Sequence, residues 1–234
     1  MMRDLDVGPT VEVLHPGGLA LTAKAAEYCS FRMGALVADI GCGAGASIEF
    51  IYRSSGLATI GIDPDIRSLR QGMARNPALS LVCGKGEALP FASASLDGIL
   101  AECSLSVISD KNRALAEFNR ALCPAGRLVV TDVYTRDPQA INSISDLALP
   151  FCMSDIMTKK GLSDSLSKNG FGIDLWEDHS YVLKEFIINQ IMEGGALWPY
   201  GSCNAPDSED WPTNMKALKQ ASLGYFLLIA RKEK

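Results

Sequence analysis

The sequence predicts an α/β fold, a doubly wound and mostly parallel sheet with helices on both faces. Three observations carry this prediction. A strand-length apolar run, Leu36–Ile40, breaks into Gly41, Gly43 and Gly45 and is followed at once by the amphipathic residues Ile48, Phe50, Ile51 and Tyr52. Strand, glycine turn and helix in that order form a nucleotide-binding crossover. Downstream, short apolar runs alternate with helix-length amphipathic segments, the pattern of repeated βα units. An acidic residue, Asp63, closes the second apolar run 18 residues beyond Gly45.

The whole chain bounds what this fold can serve. Its 234 residues suit one α/β domain with an extra element or two, and 47% hydrophobic against 21% charged residues supply a full core. The net charge of −5 argues against a broad nucleic-acid surface, which needs clustered Lys and Arg. No apolar run reaches the length of a membrane span, and Met1–Thr10 does not read as a signal peptide, so a cytoplasmic protein is expected. The seven cysteines form no C-x-x-C pair and suit neither a disulfide framework nor a structural metal site.

In chain order, Val11–Gly18 is a turn-rich lead-in, and Leu19–Phe31 a helix with Leu19, Ala23 and Ala26 inward, ended by Gly34. Leu36–Ile40 is the first strand. Its glycines let a ligand approach the backbone closely, and the following helix start offers free N–H groups. Leu57–Ile62 is the second strand, and Ile66–Arg75 a helix that Asp63 or Asp65 can cap. Leu79–Gly84 and Ser95–Ala101 are the third and fourth strands. Asp110 caps the amphipathic helix Asp110–Leu122, whose Leu115, Phe118 and Leu122 share a face. Arg127–Tyr134 is the fifth strand. A helix over Ile156–Asn169, a strand over Gly172–Trp176, a helix over Tyr181–Met192 and a last strand over Gly224–Arg231 complete the order. Between the last two, Gly194–Trp211 has the composition of a lid loop.

The run Asp39–Gly45 (DIGCGAG) resembles the cofactor loop of class I S-adenosylmethionine-dependent methyltransferases, and Lys85–Phe91 (KGEALPF) their segment beside the adenine. The resemblance extends over nearly the whole chain, taken as a single domain. It implies a Rossmann-like sheet of seven strands whose last strand is antiparallel. Residues 1–34 would form an N-terminal lid and helix, and 135–215 the acceptor-side insertions. It implies S-adenosylmethionine as cofactor, S-adenosylhomocysteine as product, and a small-molecule acceptor. The matching positions nominate Asp39, Gly41, Cys42, Gly43, Gly45, Asp63, Pro64, Gly86, Glu87 and Glu102 for the cofactor, with Asp63 taking both ribose hydroxyls. Glu102 would balance the sulfonium or hold the methionine amino group. Lys85 and Ala125 depart from the pattern. A nicotinamide dehydrogenase, the rival for such a loop, would bring a catalytic His, Lys or Y-x-x-x-K, and the chain holds only His15 and His179 and no such motif.

Ala101–Leu122 further resembles arsenite methyltransferases, with Cys103 in the place of a cysteine after the fourth strand and Cys152 in that of a second. Two thiolates would hold soft trivalent arsenic. Transfer to some other small acceptor stays the main expectation, with quinone-biosynthesis enzymes similar in the same core. Arsenite methylation by Cys103 and Cys152 and a non-catalytic S-adenosylmethionine-binding protein are the alternatives. The sequence leaves the oligomeric state open.

Overall fold

The computed structural model describes residues 15–139, 156–192 and 222–233. A single sheet organises them. Its strands are β1 (Leu36–Ile40), β2 (Ala58–Asp63), β3 (Leu81–Cys83), β4 (Leu96–Glu102), β5 (Leu122–Thr135), β6 (Met157–Thr158), β7 (Phe171–Asp178) and β8 (Leu223–Lys232). Seven of them run in the order β3-β2-β1-β4-β5-β8-β7, and the two-residue β6 pairs with β5. β1 to β5 are mutually parallel, and β8 lies antiparallel between β5 and β7. The helices are α1 (Gly18–Cys29), α2 (Ala46–Ser55), α3 (Ile66–Arg75), α4 (Lys111–Ala121), α5 (Lys159–Lys168) and α6 (Ser180–Met192).

The central strands are apolar on both faces because helices cover both. On one face Ile40, Ile99, Val130 and Leu228 pack with Leu115, Phe118 and Leu166; on the other Val37, Leu100, Val129 and Ile229 pack with Ala25 and Ile51. Asp110 caps α4 as expected, its carboxylate accepting from Arg113 N–H at 3.0 Å. Asp65 caps α3 through Arg67 N–H at 3.0 Å, which leaves Asp63 available for other contacts.

The structure corrects four local expectations. β4 runs one residue beyond the expected Ser95–Ala101, so the Glu102 carboxylate ends a buried strand. α1 buries Leu21, Thr22 and Ala25, a face shifted from Leu19, Ala23 and Ala26 because Thr22 is turned inward to Glu102. Met157–Thr158 is a strand where a helix was expected to have begun, and α5 starts after it with the Thr158 hydroxyl accepting from Gly161 N–H. β5 begins at Leu122, which pairs with Leu96 ahead of a bulge. Cys152, Cys203 and the expected lid Gly194–Trp211 lie outside the described residues. Among the described residues no helix is long and apolar enough to cross a membrane.

Candidate active site

The site forms where the sheet changes direction. β1 is flanked by β2 on one side and β4 on the other, and the connections after β1 and β4 leave a crevice at their carboxyl ends. A cavity of about 420 Å³ fills it. Of the residues nominated from sequence, Asp39, Gly41, Cys42, Gly43, Asp63, Pro64, Gly86, Glu87, Glu102 and Cys103 all line this one cavity. Gly45 does not line it; it sets the entry of α2 from a left-handed conformation and packs against Leu79 and Leu81.

The glycine turn is required by two different constraints. Gly41 has φ +83°, and a Cβ there would lie 2.4 Å from the Ser104 Cβ, so the neighbouring strand end excludes a side chain. Gly43 has φ +54°, and a Cβ there would meet nothing within 4 Å. That position opens on the cavity and gives a ligand direct access to backbone. Asp63 fastens the turn from the opposite side. Its Oδ2 accepts from Gly43 N–H at 2.8 Å and its Oδ1 from Asp65 N–H at 2.7 Å. Each oxygen keeps a lone pair for hydroxyl donors on the cavity side.

Glu102 is 6% exposed and closes the far wall. Thr22 Oγ1 donates to its Oε1 at 2.8 Å, and Ser47 Oγ to its Oε2 at 2.5 Å. His15 Nε2 stands 3.7 Å from Oε2. One carboxylate thus ties the lead-in to α1, α1 itself and the first turn of α2 to the end of β4. Asp39, on β1 beside it, is 3% exposed. Burial, then the charges of Glu102 and Asp63, hold its carboxyl well above the usual range. Burial also raises Asp63, against the pull of its two backbone hydrogen bonds. Asp39, Asp63 and Glu102 thus line one crevice, with Asp39 held toward its protonated form by burial and by the other two, a pattern suited to a cationic guest. The Ser104 hydroxyl is buried in the same wall with no partner among the described residues.

Cys103 sits at φ +50°, its N–H donating to Thr131 O at 2.7 Å. Its sulfur lies 3.2 Å from the Tyr225 hydroxyl, which donates to Thr131 Oγ1 at 3.2 Å. Burial, with the charges of Asp132 and Glu102, pushes the Cys103 thiol up and so favours the protonated form. Its expected pairing with Cys152 falls outside the described residues. Among the described residues no cluster of metal-ligating side chains occurs.

The segment Glu102 to Ser106 faces the cavity as the open-sheet rule predicts, whereas the sequence did not reveal Ser47, Asp132, Leu183 or Phe186, all of which line it. Asp132 could have been found: it lies near the carboxyl end of β5, next to β4, where the open-sheet rule places ligands. Leu183 and Phe186 come from α6, far along the chain, and carry no local signal.

Comparison with known proteins agrees with this geometry. Residues 38–130 match a methyltransferase domain family. The demethylmenaquinone methyltransferase of Renibacterium salmoninarum is 34% identical over 99 residues, 42% of this chain and 41% of that protein. The O-methyltransferase resE of Aspergillus sclerotiorum is 26% identical over 163 residues, 65% of this chain and 61% of that protein. The chain thus spans about two fifths of the first relative's length and 61% of the second's. Among solved structures, the [4+2]-cyclase SpnF is similar at a TM-score of 0.76 and 26% identity, covering 92% of this chain and 81% of that one. The matched segment, residues 38–130, holds the glycine turn, Asp63 and Glu102 and is similar to a methyltransferase domain, and the sheet around it has the doubly wound order.

Proposed function

We propose that the protein transfers a methyl group from S-adenosylmethionine to a small-molecule acceptor. The observation that carries this reading is the convergence of Asp39, Asp63 and Glu102 on a crevice whose turn is open at Gly43. The cofactor's sulfonium and ammonium outweigh its single carboxylate, so it enters as a cation and meets an acidic wall. The residues present fit it. Asp63 offers two oxygens to vicinal hydroxyls, Gly43 offers open backbone, Ser104 offers an unpartnered hydroxyl, and Glu102 is already oriented by Thr22 and Ser47. The loop at Gly86 and Glu87 borders the same cavity, and Arg113 fixes it by donating to Glu87 O at 3.0 Å.

Once bound, the cofactor supplies a methyl group already activated for in-line displacement, so alignment provides much of the rate. The chain's part is to hold the donor against β1 and β4 and to exclude water. The relatives that act on quinone precursors and on hydroxyl groups support a small organic acceptor. The five described cysteines are free, which suits a reducing, cytoplasmic setting.

The similarity to a cyclase favours a second reading, in which the pocket holds its ligands without methyl turnover. Titration calorimetry with S-adenosylmethionine, S-adenosylhomocysteine and NAD tests the cofactor: the first two should bind and NAD should not, and the reverse would refute the proposal. Release of S-adenosylhomocysteine in the presence of an acceptor separates turnover from binding alone.

A further inference from the structure

The acceptor side of the cavity contains an acid that cofactor binding leaves unassigned. Asp132 is 2% exposed, lies near the carboxyl end of β5, and lines the cavity with Cys103 and Ser106. Its Oδ2 accepts from Ser106 N–H at 2.8 Å and its Oδ1 from Val133 N–H at 2.8 Å. Burial raises its carboxyl above the ordinary range, opposed by the Ser106 and Val133 hydrogen bonds and by the charge of Lys111. The titratable groups around it are Lys111 from α4, Cys103 just after β4 and Tyr225 from β8; Cys103 and Tyr225 both feel its charge. The same cavity has an apolar contribution from Val107, Ile108, Val133, Leu183 and Phe186, of which Val133 is the chain neighbour of Asp132.

An apolar wall admits an uncharged organic body and gives an ionised one no counter-charge. A neutral hydroxyl, unlike an amine lone pair, must lose a proton as it is alkylated. A desolvated carboxylate in that wall is a strong proton acceptor. We infer that Asp132 is the catalytic base for a largely apolar acceptor that presents a hydroxyl group; the inference rests on the methyltransferase reading above. The hydroxyl proton passes to an Asp132 oxygen while the hydroxyl oxygen forms its bond to the methyl carbon. The carbon–sulfur bond breaks with its electron pair left on sulfur, giving a methyl ether and S-adenosylhomocysteine, and Asp132 then returns the proton to solvent.

Two phenols of similar size separate base catalysis from mere support of the Ser106 turn. In mildly alkaline buffer 4-ethylphenol is un-ionised, as a tyrosine hydroxyl is, whereas 4-nitrophenol is largely an anion and needs no base. Asp132→Asn keeps the shape and an acceptor for Ser106. It should lower kcat/KM for 4-ethylphenol by about 100-fold or more. The loss for 4-nitrophenol should be smaller by at least about tenfold, with S-adenosylmethionine affinity unchanged. Equal losses on both phenols would assign Asp132 to positioning and overturn the proposal. If the variant fails to fold, the wild-type pH profile decides. Its rate on 4-ethylphenol should climb through a limb between the ordinary carboxylate range and neutrality, whereas its rate on 4-nitrophenol should follow that phenol's own ionisation; identical profiles would overturn the proposal. Wild-type protein that binds S-adenosylmethionine but methylates neither phenol overturns it too and leaves the cofactor reading standing. Failure to bind S-adenosylmethionine would remove both.

Discussion

Glu102 is the point where a small substitution separates two roles. Alanine there removes the acceptor of both the Thr22 and the Ser47 hydroxyls, which are 0% and 5% exposed by residue. Stranding a buried hydroxyl costs about 1–3 kcal/mol, so the two together should lower stability by about 2–6 kcal/mol. That is a large share of the roughly 5–15 kcal/mol that holds a domain folded. Glutamine is different. Its carbonyl serves one hydroxyl, its amide can donate to the other, and loss of the charge relieves one of the repulsions that hold Asp39 up. Its cost should stay below about 1 kcal/mol. Yet glutamine removes a negative charge from a wall proposed to receive a cation, and S-adenosylmethionine affinity should fall at least about tenfold, or about 1.4 kcal/mol. Urea unfolding and calorimetry on the two variants are the assays. An alanine variant with the wild-type midpoint would refute the stranding argument. A glutamine variant with the wild-type dissociation constant would refute the charge argument.

Three further outcomes are expected. Asp63→Ala loses two backbone hydrogen bonds to a carboxylate, at 2.8 and 2.7 Å, and should weaken S-adenosylmethionine binding at least about tenfold; an unchanged dissociation constant in calorimetry would leave Asp63 only the role of fastening the turn. Native Asp39 keeps its proton at pH values where the unfolded chain has lost it. Stability of the ligand-free protein should therefore fall as pH rises from the ordinary carboxylate range through the raised value, and Asp39→Asn should flatten that limb in urea midpoints measured across pH. Because burial keeps the Cys103 thiol protonated, iodoacetamide in mildly alkaline buffer should label exposed Cys83 well before Cys103; equal rates by mass spectrometry would show an accessible thiolate.

The sequence announces what is local and leaves out what is assembled. The glycine turn is readable because three left-handed positions in five residues strongly favour glycine. The α4 face is readable because Leu115 and Phe118 repeat at helical spacing, and both are fully buried. Asp63 is readable as a site residue from its spacing, but its hold on Gly43 N–H depends on β1 and β2 lying side by side. Glu102 is readable as a site residue from its place after the fourth apolar run, but its partners, Thr22 and Ser47, are 80 and 55 residues away and leave no local sign. The inward turn of Thr22 in α1 has the same cause: a polar residue on a buried face follows from a distant carboxylate and contradicts local periodicity. β6 is too short at two residues to leave any pattern.

The position of β8 has a consequence for synthesis. Translation delivers β1 to β5 early, each beside a neighbour already made or soon to follow. β7 comes next, but among the described residues its ladder is formed with β8 alone, and the edge of β5 from Arg127 to Thr135 is likewise paired there only by β8. Until Leu223–Lys232 leaves the ribosome, the nascent chain carries two unpaired strand edges at once, one on a nearly finished sheet and one on a strand with nothing to join. The insertion of β8 closes both in a single event. A ribosome paused within residues 179–222 would therefore present its most aggregation-prone intermediate, and chaperone demand should peak there.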